Sequence, residues 1–274
     1  MNGASREALA AARERLDALL DGTSADASQL ADDLAAVTAL LDREVSLRRV
    51  LTDPAQPGAA KAQLAGRLLD GRVGGEAVDL VSGMVRSRWS RARDLVDALE
   101  QLTNLAELIV AERDGTLEEV EDELFRFGRT VASSPELRAA LGAKGSDESV
   151  RTAKARLVGR LLAGRAKPTT ERLVTRLVTH PRGRSLDGGL EALSKLAAER
   201  RNRSVAVVTS AVPLSDEQKR RLGAALAKLY GREMHLNLDV DPSVLGGVSV
   251  RVGDEVINGT IAARLEEAAR RLGG

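Results

Sequence analysis

The chain of 274 residues contains no cysteine, so disulfides and thiolate metal sites are excluded, and a reducing compartment is compatible with it. Aromatic residues are scarce: Trp89, Phe125, Phe127 and Tyr230 are all it has. Its cores must therefore be built from Leu, Val and Ala, which suits closely packed helices. An excess of one charge is also lacking, with 41 Lys and Arg against 40 Asp and Glu. That balance gives no electrostatic case for nucleic acid or a membrane surface. No apolar run reaches the length that crosses a bilayer. The opening Met1-Asn-Gly-Ala-Ser-Arg-Glu7 is not a charged leader followed by an apolar block. The expectation is a soluble protein of two or three domains that meets a membrane only through a partner.

Helical spacing is abundant from residue 5 to about 200. Leu9, Leu16, Leu19 and Leu20 share a stripe, as do Leu30, Leu34, Val37 and Leu41. Val78, Val81, Met84 and Val85 repeat the pattern, followed by Leu95, Leu99, Leu102 and Leu105. Thr116 with Glu119 reads as a capping box, and Ser134-Pro135 as a cap with proline at the first helical position. Asp53-Pro54, Gly71 and Gly74-Gly75 read as helix stops.

This region is also an internal repeat. Lys61-Ala-Gln-Leu-Ala-Gly-Arg-Leu-Leu-Asp-Gly-Arg72 matches Lys154-Ala-Arg-Leu-Val-Gly-Arg-Leu-Leu-Ala-Gly-Arg165. The register pairs Leu80, Val81 and Val85 with Leu173, Val174 and Val178, and upstream Leu34 and Leu41 with Leu124 and Val131. Two copies of one helical unit are expected, with the helix near 91–113 closing the first and opening the second. Tandem bundles suit so long a copy better than a short-period solenoid.

After Arg203 the period changes from about 3.6 to 2. Residues 205–210, 235–240 and 248–252 alternate as strands, and Val256 returns after the Gly253-Asp254 hairpin turn. Ser215-Asp-Glu-Gln218 is a capping box for a helix running to Tyr230, with Gly231 as its stop. A last amphipathic helix carries Ile261, Leu265, Ala268 and Leu272. The expected fold class is α+β, predominantly α. Two helical-bundle units, 1–105 and 106–202 (the second an insertion), precede a small α/β domain, 203–274.

Chemistry is thin. The glycines from Gly246-Gly247 to Gly259 lack the lysine and helix context of a phosphate loop and read as turn glycines. His235, Asn237 and Asp239 share one strand face but offer one strong metal ligand, with His180 remote, so a solvated face is preferred. Arg86-Ser-Arg-Trp-Ser-Arg-Ala-Arg93 could touch a nucleic-acid backbone, yet an inter-helix turn with exposed Arg fits a near-neutral chain better. The acids of Glu118–Glu123 stand in the first turns of a helix, where its dipole favours them. No serine or threonine has a histidine–carboxylate context. No catalysis, cofactor or metal is expected.

The tail carries a resemblance. Val205-Ala-Val-Val-Thr-Ser-Ala-Val-Pro-Leu-Ser215, then Asp241-Pro-Ser-Val-Leu-Gly-Gly-Val-Ser-Val-Arg-Val-Gly-Asp-Glu-Val-Ile-Asn-Gly-Thr260, closely resembles the F-type ATP synthase delta and oligomycin-sensitivity-conferring protein family. Its motif positions fall here on Pro242, Gly246, Gly247, Gly253, Asp254 and Gly259. Val244-Leu245 replaces the usual Leu-Ile, and Asn258-Gly259-Thr260 replaces Asp-Gly-Ser. Leu51-Thr-Asp-Pro54 and Lys61 resemble the family's helical domain, so the likeness is read over 1–105 and 200–274. The doubled region resembles enlarged actinobacterial members.

The resemblance implies a non-catalytic stator part of a proton-translocating synthase, peripheral on the cytoplasmic face of the cell membrane. Its helical domain would hold alpha-subunit amino-terminal helices in an apolar groove. The carboxy-terminal domain would grip the b subunit, so that torque drives ATP synthesis. Leu9, Leu16 and Leu20 with Val78, Val81 and Val85 are the expected groove residues. The duplicate would be a second seat or a spacer along the b arm. The alternative is a helical scaffolding adaptor unrelated to energy conversion.

Overall fold

The computed structural model describes residues 1–22, 25–143, 147–203, 205–230, 234–242, 244, 246–252 and 255–259. They divide into two compact units, Met1–Ala197 and Ala198–Gly274.

The first unit contains the repeat. Its first copy runs through α1 (Gly3–Gly22), α2 (Ala27–Arg43), α3 (Val45–Thr52), α4 (Gly58–Leu69), α5 (Gly75–Arg86) and α6 (Ala92–Arg113). The second adds α7 (Leu117–Ser133), α8 (Pro135–Gly142), α9 (Glu148–Leu162), α10 (Pro168–Thr179) and α11 (Leu186–Arg203), the last reaching past the unit boundary. Element lengths repeat: α2 and α7 have 17 residues each, α3 and α8 have 8, α5 and α10 have 12. So do local devices. Gly71 and Gly164 follow α4 and α9 at φ +68° and +66°, a conformation that side chains with a Cβ rarely adopt. Asp33 accepts from the Gly74 N–H before α5 at 2.9 Å, and Glu123 accepts from the Lys167 N–H before α10 at 2.9 Å. Lys61 and Lys154 are both buried, and Lys154 Nζ donates to the Ala143 and Val178 carbonyls at 2.7 and 3.2 Å.

Each copy has its own apolar core. Leu16, Leu34, Leu80, Val81, Val85, Leu95, Leu99 and Leu102 centre the first. Leu108, Val120, Leu124, Val131, Val158, Leu173, Val174 and Ala197 centre the second. Full burial of each such Leu or Val side chain is worth about 2 kcal/mol. Helix α6 belongs to both: Leu95 to Ile109 serve the first core, while Leu108 and Ala111 serve the second. An amphipathic surface helix has one apolar stripe, whereas α6 is buried on several sides, as a shared central helix must be.

Two local expectations are revised. Thr116 does precede α7, but its side chain makes no capping bond. Its hydroxyl donates instead to the Ala111 carbonyl at 3.3 Å, after Gly115 has turned the chain at φ +67°. Gly74-Gly75 opens α5 rather than stopping a helix, with Gly75 as its first residue. Both copies, joined through α6, lie within the first compact unit.

In the second unit, β1 (Val205–Ser210), α12 (Asp216–Tyr230), β2 (His235–Val240), β3 (Val248–Val252) and β4 (Glu255–Asn258) follow the expected order. The sheet order is β2-β1-β3-β4, with β1 parallel to β2 and the other pairs antiparallel. Ala206, Val208, Leu226, Val250 and Val252 form its core. The capping box at α12 is made, with Gln218 N–H to Ser215 Oγ at 3.3 Å and Ser215 N–H to Gln218 Oε1 at 2.8 Å. The expected stop at Gly231 and the last helix at Ile261–Leu272 lie outside the described residues.

Candidate functional site: a helix seat and the joint between the copies

Helices α1 and α5 pack side by side, and the six expected groove residues divide by depth. Leu16, Leu20, Val81 and Val85 are buried in the first core. Leu9 and Val78 are half-buried at its edge. The four buried residues are a floor, and only the last two reach a surface that a partner could touch. Along the same side of α5, Asp79 is exposed and Ser82 and Gly83 are half-buried. A Cβ at Gly83 would stand 2.7 Å from an Arg15 guanidinium nitrogen. Glycine here lets the α1 arginine cross over α5. The entry to this face is fixed by Ser5, whose hydroxyl donates to Asp94 and accepts from the Ser90 N–H, both at 2.8 Å.

The equivalent side of the second copy, between α6 and α10, is built differently. The register that pairs Val81 with Val174 places Arg172 and Arg176 of α10 where α5 has Asp79 and Gly83. Both arginines reach the fully buried Glu107 of α6. Arg172 Nε donates to one carboxylate oxygen at 2.8 Å, and Arg176 Nη1 stands 2.7 Å from the other. Arg176 also donates to Asp32 of α2 at 2.8 Å. After α10, Arg182 contacts Asp42 of α2 and Glu100 of α6, each at 3.3 Å. Arg184 also bonds to Glu100, and Arg93 donates to the Arg182 carbonyl at 2.6 Å. A cavity of about 190 Å³ remains among Ala35, Thr38, Ala39, Thr103, Arg176 and His180. Burial and the neighbouring Arg182 and Arg151 hold the His180 pKa below 6.5, against the opposing pull of Asp42 and Glu148. Helix α2 thus lies along α6 and is tied to α10 by the Arg176–Asp32 ion pair and to the turn after α10 by Arg182–Asp42.

Sequence reasoning missed this joint, because its acids and arginines lie 65 to 144 positions apart. One signal was present: the best repeat register itself sets Arg176 against Gly83.

Other expected features are local. Arg86–Arg93 is the α5–α6 connection, where buried Trp89 donates its Nε1–H to the Met84 carbonyl at 2.8 Å and Arg91 pairs with Asp94 at 3.1 Å. Asn237 and Asp239 of β2 are exposed. Among the described residues no group of three His, Asp or Glu stands together to hold a metal. Pro242 is exposed in the turn after β2, and Gly246 and Gly247 adopt φ +68° and +86°, which suits turn glycines. Gly259 N–H donates to the Val248 carbonyl at 3.0 Å. Gly253 and Asp254 lie outside the described residues. They fall between Val252 and Glu255, which pair across the β3–β4 ladder. Among the described residues no helix is long and apolar enough to cross a membrane.

Comparison with known proteins gives a consistent result. The family described as ATP synthase delta (OSCP) subunit matches residues 105–272. That match runs through the second copy and into the tail, whereas the sequence reading placed the likeness on the first copy and the tail. The chain is 71% identical to ATP synthase subunit delta of Streptomyces griseus over 274 residues, with both chains covered in full. It is 50% identical to the Thermobifida fusca subunit over 275 residues, again covering all of both. The doubled helical region is therefore matched along the whole length of these relatives. A chain of the Toxoplasma gondii mitochondrial ATP synthase hexamer aligns at a TM-score of 0.33 and 23% identity, covering 62% of this chain and 96% of that one.

Proposed function

This chain belongs to the ATP synthase delta (OSCP) subunit family and is a non-catalytic subunit of the peripheral stalk, and from that premise we propose how it makes its connections. The helical unit seats an alpha-subunit amino-terminal helix against α1 and α5. The carboxy-terminal unit holds the b subunit, and the assembly lies at the cytoplasmic face of the cell membrane. An apolar helix face laid on Leu9 and Val78, above a packed floor, would resist the torque that turns the head. The observation that carries this reading is that Leu9 and Val78 remain half-buried while Leu16, Leu20, Val81 and Val85 beneath them are buried. Grip on b is supported by exposed Leu238 and Val240 on the edge strand β2, where an apolar surface suits a helical partner. The scaffolding-adaptor alternative is not favoured, since the relatives that match along the whole chain are synthase subunits.

The test is titration of the chain with a peptide of the alpha amino terminus, followed by calorimetry. Leu9→Glu should weaken binding at least tenfold while leaving helical content unchanged. Equal affinity for the parent and the variant would overturn the α1–α5 seat. For the second copy, a second seat and a spacer are both consistent with the family premise.

A further inference from the structure

The two copies offer equivalent helix faces, α1 with α5 and α6 with α10, and the structure differs at what lies beside each. We infer that helix α2 of the first copy permanently covers the seat of the second, so that the chain offers one free helix seat and the second copy serves as a spacer. This rests on the seat proposed above.

The first ground is connectivity. Helix α6 ends the first bundle and stands in the second where α1 stands in the first. Helix α2 packs along α6 as part of the first core, through Leu30, Leu34, Val37 and Leu41. Sharing α6 therefore brings α2 alongside the α6–α10 face, and no partner helix can displace it without opening the first core.

The second ground is chemistry. Arg176 ties α10 to Asp32 of α2, and Arg182 bridges Asp42 of α2 and Glu100 of α6. A carboxylate at Glu107 with no exposure fixes Arg172 and Arg176 from beneath. These pairs are arranged for an acidic helix surface, and α2 supplies it. The first seat has Asp79 and Gly83 at the corresponding places, with the Arg15 guanidinium of α1 lying over Gly83. The two seats thus differ in access.

Two readouts on the full-length chain test this. In the first, the cysteine-free chain receives Asp32→Cys with Arg176→Cys, and a short bis-maleimide is added. An internal cross-link in a normally helical chain is expected; a folded chain that fails to cross-link overturns the covering of the second seat. In the second, the alpha amino-terminal peptide is counted by native mass spectrometry on the parent, Ser82→Trp and Thr175→Trp chains. Ser82 and Thr175 are the same repeat position on α5 and α10, and both are half-buried. One peptide should bind the parent, be lost at least tenfold in affinity in Ser82→Trp, and be retained in Thr175→Trp. Two peptides on the parent, or loss in Thr175→Trp alone, overturns the inference. No peptide on any chain overturns the seat reading itself, while the cross-link still decides whether α2 covers α10.

Discussion

His180 closes the cavity between the copies, and its environment sets a pH dependence. Burial comes first in lowering its pKa, and Arg182 and Arg151 add to it. The unfolded chain then binds the proton more readily than the folded one. Folding stability from this group is complete above pH 6.5 and is lost as the pH falls through the lower folded value. His180→Asn should flatten the acid limb of stability below pH 6.5, as read from urea denaturation midpoints of both chains. An acid limb equally steep in the variant would assign the loss to other groups.

At the scale of elements, the repeat shows which local signals become bonds. Ser134 accepts from the Leu137 N–H at 3.2 Å, with Pro135 opening α8. Thr116 carries the right residue type before α7 but spends its hydroxyl on Ala111. Ser134→Ala should therefore lower stability by about 1 kcal/mol, the ordinary worth of a side-chain cap. Thr116→Ala should cost clearly less, both values taken from chemical denaturation. Asp33 and Glu123 show the same device made non-locally. Each reaches from the second helix of its copy to the backbone before the fifth, and Glu123 also accepts from the Thr170 hydroxyl at 2.5 Å. The matched acids are visible in the repeat register, but their targets become apparent only when the helices pack.

On the scale of the whole helical unit, α6 makes two cores mechanically one. Trp89 sits in the first core and is the only tryptophan, so its fluorescence reports that copy alone. Leu124→Ala removes a fully buried side chain from the second core and should cost about 3 kcal/mol. Coupling through α6 predicts that the Trp89 transition shifts with the circular dichroism transition and to the same midpoint. An unmoved Trp89 midpoint would mean that the copies unfold independently. For a stator part such coupling is useful, since a joint that melted locally would give way under torque.

What the sequence determined by itself was everything written in short-range spacing. The helical and strand periods, most helix ends, the turn glycines, the doubled register and the tail motif are all decided by residues within a few positions of each other, or by direct repetition. The four residues Leu16, Leu20, Val81 and Val85 could be recognised as apolar and in phase, but not as floor rather than rim. Depth depends on which other helices stand beside them. Only the tertiary structure decided that α6 serves both copies and that Glu107 gathers Arg172 and Arg176. It also decided that Asp32 and Asp42 of α2 meet Arg176 of α10 and Arg182 beyond it. Those contacts join residues 65 to 144 positions apart. Their energy comes from charges brought together in a partly dry interface, a condition that no local pattern of residues encodes.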